Sequence, residues 1–185
     1  NRQRAARQLI QGVRIIERLE EIAGIDFFAV INLAGEPLGA GRWNAVLKSR
    51  FRQSRIELTR ELFQFFERQQ QWPSVLINAS AIGIYGDRGE EILSESAVVG
   101  QGFAAALCYD WEAAASLFEA HAVRVCLLRI GIVLDADGGA LKQMLPAFRF
   151  GLGGRMGTGK QYMSWISRRD LVRLILFLLV HPGAN

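Results

Sequence analysis

Three short apolar runs constrain this chain more than any other feature. Phe27 to Leu33, Ser74 to Ala79 and Val123 to Leu134 are rich in Val, Ile and Leu, with no consistent polar face. Such runs are the pattern of strands buried on both sides, which calls for a parallel sheet with helices over both faces. The segments between them supply the helices. Trp43, Val46, Leu47, Phe51, Leu58, Leu62, Phe63 and Phe66 recur at helical spacing up to Trp72-Pro73, predicting one long helix bent near Ser54. Phe103 to Ala120 is Ala-rich, with Leu107, Trp111, Ala114, Ala115 and Phe118 on one side. Asp135 to Gly139 reads as a turn and Leu141 to Phe150 as a short helix. A glycine-rich hairpin and an apolar helix from Arg169 to Val180 follow. Near the start, Val13 to Ile16 has the character of a short strand, while the five arginines up to Arg18 equally suit one side of a helix.

With 50% hydrophobic and 22% charged residues, disorder of the whole chain is excluded, and 185 residues suffice to bury the core of one domain. The longest apolar run, Leu171 to Val180, is too short to span a bilayer and is interrupted by Arg173. No secretion signal is visible, so a soluble, cytoplasmic protein is expected. The net charge of +4 is small for this length, and acids interrupt the basic residues along the helices, so no nucleic-acid partner is expected. Cys108 and Cys126 stand apart without metal-ligand spacing, and neither His121 nor His181 lies near a nucleophile motif. No metal site, disulfide framework or Ser-His hydrolase is expected.

In parallel α/β folds, ligands bind beyond the carboxyl ends of the strands, so the segments following the three runs carry the chemistry. The first is Val30-Ile31-Asn32-Leu33-Ala34-Gly35-Glu36-Pro37. Small residues there let a flat ligand or a pyrophosphate approach the backbone, although an ordinary strand-to-loop turn has the same composition. The second is Asn78-Ala79-Ser80-Ala81-Ile82-Gly83-Ile84-Tyr85-Gly86. Its hydroxyls suit hydrogen bonding to a substrate carbonyl or hydroxyl, against the alternative of a turn with a half-buried tyrosine. Gly154 to Lys160 has the spacing of a phosphate loop but lacks the following Ser or Thr and the strand–helix context, and reads as a hairpin turn.

The ordered succession of these pieces resembles a family. Val30 to Pro37, Arg42-Trp43, Ser54-Arg55, Ser80 to Asp87, Asp110-Trp111-Glu112, Leu128 to Val133 and Asp137-Gly138-Gly139 are the first part. Pro146, Phe148-Arg149, Gly151 to Gly154, Gly157 to Gln161 and Ser164-Trp165-Ile166 continue it. Together they resemble the extended short-chain dehydrogenase/reductases, and more closely their epimerase-like branch of sugar nucleotide epimerase-related proteins. The resemblance implies a Rossmann-like doubly wound parallel sheet, one NAD(P)-binding domain over residues 1–185, and NADP or NAD as cofactor. It implies redox chemistry on a sugar-nucleotide or other small hydroxyl or carbonyl substrate. By position, Leu33, Ala34 and Gly35 would follow the cofactor's adenosine and ribose side. Ala79 and Ser80 would sit beside the nicotinamide, with Gly131, Ile132 and Val133 shaping its pocket. Ser80 and Tyr85 would be the catalytic polar groups, and Tyr85, Phe148, Gln161 and Trp165 would line the substrate cleft. Helices 44–69 and 103–120 resemble the pair that forms a homodimer interface in this superfamily.

Two departures stand beside the match. The superfamily's dehydrogenases use a Tyr-x-x-x-Lys pair to pass a proton as hydride moves. Here the tyrosine position falls at Phe103 or Ala104 and the lysine position at Leu107 or Cys108; Tyr109 is out of register and Ala81 stands at the usual serine position. A non-catalytic NAD(P)-binding sensor or structural protein with a degenerate site is therefore the alternative. Members also begin with a strand and a G-x-x-G-x-x-G turn for the pyrophosphate, a motif this sequence lacks, and they continue beyond the position of Asn185. The expected fold is accordingly incomplete at both ends, with residues 1–28 poorly matched.

Overall fold

A computed structural model describes residues 12–39, 41–155 and 157–184. A 3₁₀ turn at Leu19–Ile22 precedes β1 (Ala29–Asn32), and Val13 to Ile16 form no strand. The remainder of the arginine-rich start, residues 1–11, lies outside the described residues. The helical stretch that follows comprises α1 (Ala45–Arg52), a π-helical turn (Gln53–Glu57) and α2 (Leu58–Gln69). The expected bend near Ser54 is this π turn. Its extra residue per turn brings both Arg55 and Ile56 inward as buried neighbours, and the Thr59 hydroxyl donates back to the Arg55 carbonyl at 2.6 Å. Asn44 caps α1 by accepting from the Leu47 N–H, and α2 stops where Gln70 turns left-handed, shortly before Pro73.

β2 (Val75–Ala81) leads into a 3₁₀ turn (Ile82–Tyr85), a loop, α3 (Phe103–Ser116) and a 3₁₀ turn (Leu117–His121). The run from Val123 to Leu134 is not one strand but two, β3 (Arg124–Ile130) and β4 (Ile132–Leu134), in different sheets. Gly131 is the break. A Cβ there would lie 2.4 Å from the Ser164 carbonyl oxygen, which accepts from the Ile132 N–H at 2.8 Å, so this backbone crossing admits only glycine. α4 (Gly139–Arg149), β5 (Trp165–Ser167) and α5 (Arg168–Val180) complete the order. The described residues between α4 and β5 contain turns but no paired hairpin strands; Trp165–Ser167 instead pairs parallel with Ile132–Leu134.

The larger sheet has the order β1-β2-β3, every pair parallel, with Asn32 opposite Asn78 and Ser80 opposite Arg129. This is the expected parallel α/β arrangement. On one face Leu76 packs with Phe65 and Phe66 of α2 and with Ala115 and Phe118 of the α3 end. On the other, Val75, Ile77, Cys126 and Leu128 pack with Ile175 and Leu178 of α5. That second cover is partial, because Ile31 of β1 remains 44% exposed. A third cluster, Phe51, Ile56, Ala79, Leu107, Trp111 and Ala114, sits at the carboxyl end of the strands and forms the floor beneath the site.

Candidate active site

The strands end together, and their small residues leave a cleft of about 260 Å³. Leu33, Ala34, Gly35, Ala79, Ser80 and Gly131, from three separate strand ends, all line it. Ala81, Gly83, Ala104 and Cys108 also line it, with Arg55, Leu107 and Trp111 among the larger side chains. Of the candidate tyrosine positions only Ala104 lines the cleft, and Cys108, one helical turn on, lines it together with the other candidate lysine position, Leu107. The cleft side of α3 thus offers a methyl group, a thiol and the apolar side chains of Leu107 and Trp111. Burial pushes the Cys108 thiol pKa up, against backbone hydrogen bonding at Ala81, so the group stays protonated at neutral pH.

The first strand end is locked by a buried amide network. Asn32 Nδ2 donates to Asn78 Oδ1 at 2.6 Å and to Thr59 Oγ1 at 2.9 Å, and Trp111 Nε1 donates to the same hydroxyl at 3.1 Å. Asn32 Oδ1 accepts from the Ala34 N–H at 3.3 Å, tying the loop to the sheet. Below Gly35 lies Arg55, delivered by the π turn. Its guanidinium stands over the Trp111 ring at 5.3 Å and donates to the Glu36 carbonyl at 2.9 Å. A Cβ on Gly35 would come within 2.8 Å of Arg55 Cζ, so any larger residue there would have to push the guanidinium aside. Burial draws the Arg55 pKa down from its usual value, opposed by the fields of Cys108 and Glu36.

The second strand end carries the charge. Arg129 Nε and Nη2 each donate at 2.9 Å to one oxygen of Glu112, a bidentate pair between β3 and α3. Ser80 Oγ donates to Glu112 Oε1 at 2.6 Å, and Arg129 Nη1 donates to Tyr85 Oη at 3.0 Å and to the Glu95 carbonyl at 2.6 Å. Hydrogen bonding to Glu112 is the main cause that holds the Arg129 pKa above its usual value, with burial opposing it. Arg129 has donors only, so Tyr85 Oη is the acceptor in their bond and its own O–H remains to donate. Tyr85 lines a neighbouring groove of about 690 Å³ with Glu95, Arg129, Ser164 and Trp165. Gly131 borders both spaces.

The sequence-predicted residues therefore divide. The strand-end set comes together in one cleft, and Tyr85 and Trp165 share the adjoining groove. Ile132 and Val133 lie on β4, half-buried beyond the break, and Phe148 and Gln161 are exposed and line neither space. Glu112, Arg129, Arg55 and Asn32 were not assigned from sequence. The available signal was a Glu on the apolar side of an Ala-rich helix and an Arg inside a strand, since such charges are rarely buried unless paired. Among the described residues no group of three or more His, Cys, Asp or Glu could hold a metal ion, and no helix is long and apolar enough to cross a membrane.

Residues 10–185 match the family model described as NAD dependent epimerase/dehydratase. An epimerase family protein of Mycobacterium bovis is 42% identical over 160 residues, which covers 86% of this chain and 52% of that protein. The crystal structure of human epimerase family protein SDR39U1 (isoform 2) with NADPH superposes with a TM-score of 0.78 at 29% identity, covering 90% of this chain and 58% of that one. A nucleoside-diphosphate sugar epimerase from Corynebacterium glutamicum gives 0.72 at 33% identity, covering 85% and 33%. The chain spans about half the length of the curated relatives it matches. With a Rossmann-like parallel sheet, small residues at its strand ends and a family match over nearly its whole length, the chain belongs to the NAD dependent epimerase/dehydratase family.

Proposed function

We propose that the whole protein is an NAD(P)-dependent, epimerase-like oxidoreductase acting on a sugar-nucleotide or another small hydroxyl or carbonyl compound. Residues 1–185 would act within one Rossmann-like domain and line its cofactor cleft at the strand ends. The observation that carries the reading is the cleft itself. Among larger neighbours such as Leu107, Trp111 and Arg55, its lining includes Ala34, Gly35, Ala79, Ala81, Gly83 and Ala104, whose backbone and methyl groups leave room for a flat ring. NAD(P), when bound, supplies hydride exchange. Leu33, Ala34 and Gly35 would follow the adenosine and ribose side through their backbones, and Ala79, Ser80, Gly131, Ile132 and Val133 the nicotinamide side. Ser80 and Tyr85 would face the reacting carbon. Tyr85, Phe148, Gln161 and Trp165 would contact the substrate. Self-association through helices 44–69 and 103–120 would use the exposed Val46, Leu58, Tyr109 and Leu117, because Leu107, Trp111 and Ala114 are already buried within the chain.

Titration of the intact protein with NADPH and NADH, followed by nicotinamide fluorescence, tests the reading. Saturable binding that is lost in Gly35→Leu is expected. No binding of either nucleotide refutes it. One observation favours a second reading, a non-catalytic NAD(P)-binding sensor: Ala104 and Cys108 offer no proton-transfer pair at the positions facing the cleft. Bound NADPH that stays reduced across a panel of sugar-nucleotide ketones supports the sensor; oxidation by any member supports the enzyme.

A further inference from the structure

A hydroxyl group can donate one hydrogen bond while accepting others, so fixing the direction of its proton fixes what it can recognise. At Ser80 that direction is settled inside the protein. Its Oγ lies 2.6 Å from Glu112 Oε1, and Glu112 is held from behind by two donors of Arg129 at 2.9 Å. A carboxylate so placed only accepts, so the Ser80 proton points at Glu112, and what Oγ has left are its lone pairs, which face the cleft and the neighbouring Cys108 thiol. The residue is 4% exposed and Glu112 7%, which leaves no bulk water to compete for the proton. No carboxylate replaces this arrangement on the other side, because the cleft's remaining lining is apolar apart from Arg55 and Cys108.

We propose that the Glu112–Arg129 pair makes Ser80 a hydrogen-bond acceptor toward the cleft, so that it recognises an N–H or O–H donor and turns away a carbonyl. On the cofactor reading above, on which this inference rests, the donor presented beside Ala79 and Ser80 is the carboxamide N–H of the nicotinamide. Ser80 then sets the face and rotation of the ring, and Glu112 is a positioning residue that acts through it. Arg129 turns Tyr85 the opposite way, accepting from the guanidinium and donating outward. One ion pair thus gives the two hydroxyls opposite polarity, an acceptor in the smaller cleft and a donor in the larger groove.

The test compares two nucleotides by calorimetric titration of the intact protein: NADPH and its reduced 3-acetylpyridine analogue, in which a methyl ketone replaces the amide and removes its N–H donors. The expected result is weaker binding of the analogue by roughly three- to tenfold, the range of one neutral hydrogen bond. Ser80→Ala should level the two nucleotides and Ser80→Thr should restore the difference, with circular-dichroism melting confirming that each variant folds. Glu112→Gln, whose amide can donate to Oγ and free the Ser80 proton, should shrink or invert the preference. Equal binding of both nucleotides by the parent protein, or a preference that survives Ser80→Ala, overturns this inference and leaves the cofactor reading standing. Failure of both nucleotides to bind overturns the cofactor reading, and this one with it.

Discussion

Removing the Glu112 carboxylate is the most informative single perturbation. In Glu112→Ala, Arg129 keeps only two neutral acceptors, Tyr85 Oη and the Glu95 carbonyl, and Ser80 Oγ loses its acceptor. The side chains of the pair are 22% and 10% exposed, so it lies between solvent-exposed pairs, worth about 0–1 kcal/mol, and fully buried ones, where loss of one partner costs about 3–5 kcal/mol. An uncompensated, mostly buried guanidinium together with an orphaned hydroxyl amounts to about 3 kcal/mol. For a chain of this size about 2–4 °C of melting temperature corresponds to each kcal/mol, so a fall of about 6–12 °C is expected. Urea denaturation of the intact protein measures the same loss as a shift in midpoint at unchanged slope. Arg129→Met should cost a similar amount, and the double variant much less than the sum of the two. Single losses below about 1 kcal/mol that add within about 0.5 kcal/mol would show that the two groups are not coupled, and the account of the site's charge would be wrong.

Other expectations follow from neighbouring geometry. Thr59→Val keeps the shape of the side chain but removes the hydroxyl that receives Asn32 and Trp111; it should cost about 2 kcal/mol and shift tryptophan emission, whereas unchanged emission would place Trp111 elsewhere. Gly131→Ala drives a Cβ to 2.4 Å from the Ser164 carbonyl, so it should disrupt β4–β5 pairing, read as faster amide exchange at Ile132; unaltered exchange contradicts the crossing. The pH dependence has a definite sign. Cys108 has its folded pKa raised by burial, so the stability it contributes is complete below the ordinary thiol value of about 8.5 and is lost as pH climbs from there through the folded pKa. Cys108→Ala should flatten that alkaline decline in a series of urea midpoints, and an identical decline in both proteins would exclude this thiol as its cause. At neutral pH both buried cysteines should resist a thiol reagent until the protein unfolds; rapid labelling of the native state would disprove their burial.

What could be read from the sequence was set by local chemistry. Apolar runs of strand length alternating with helically spaced segments point to a parallel sheet, because helices crossing over both faces bury such strands on both sides. The π turn was visible as a bend near Ser54, although its consequence, Arg55 turned inward under Gly35, was not. The small residues after the strands marked where a ligand could approach the backbone, and the ordered motifs from Val30 to Ile166 carried the resemblance to the family. Periodicity could not show that the run ending at Leu134 splits at Gly131, because the cause is the Ser164 backbone, which lies distant in sequence.

The sequence by itself thus determined the class of fold, the position of its main strands and helices, and which strand ends carry small residues and hydroxyls. Tertiary structure alone decided the pairing of charges and the direction of protons. Ser80, Tyr85, Glu112 and Arg129 meet across separations of 17 to 44 residues, through the register of Ser80 with Arg129 and the rotation of α3. Side-chain types record which bonds a residue is able to make. Which of them it does make depends on register and helix rotation, and these are fixed by packing over the whole core.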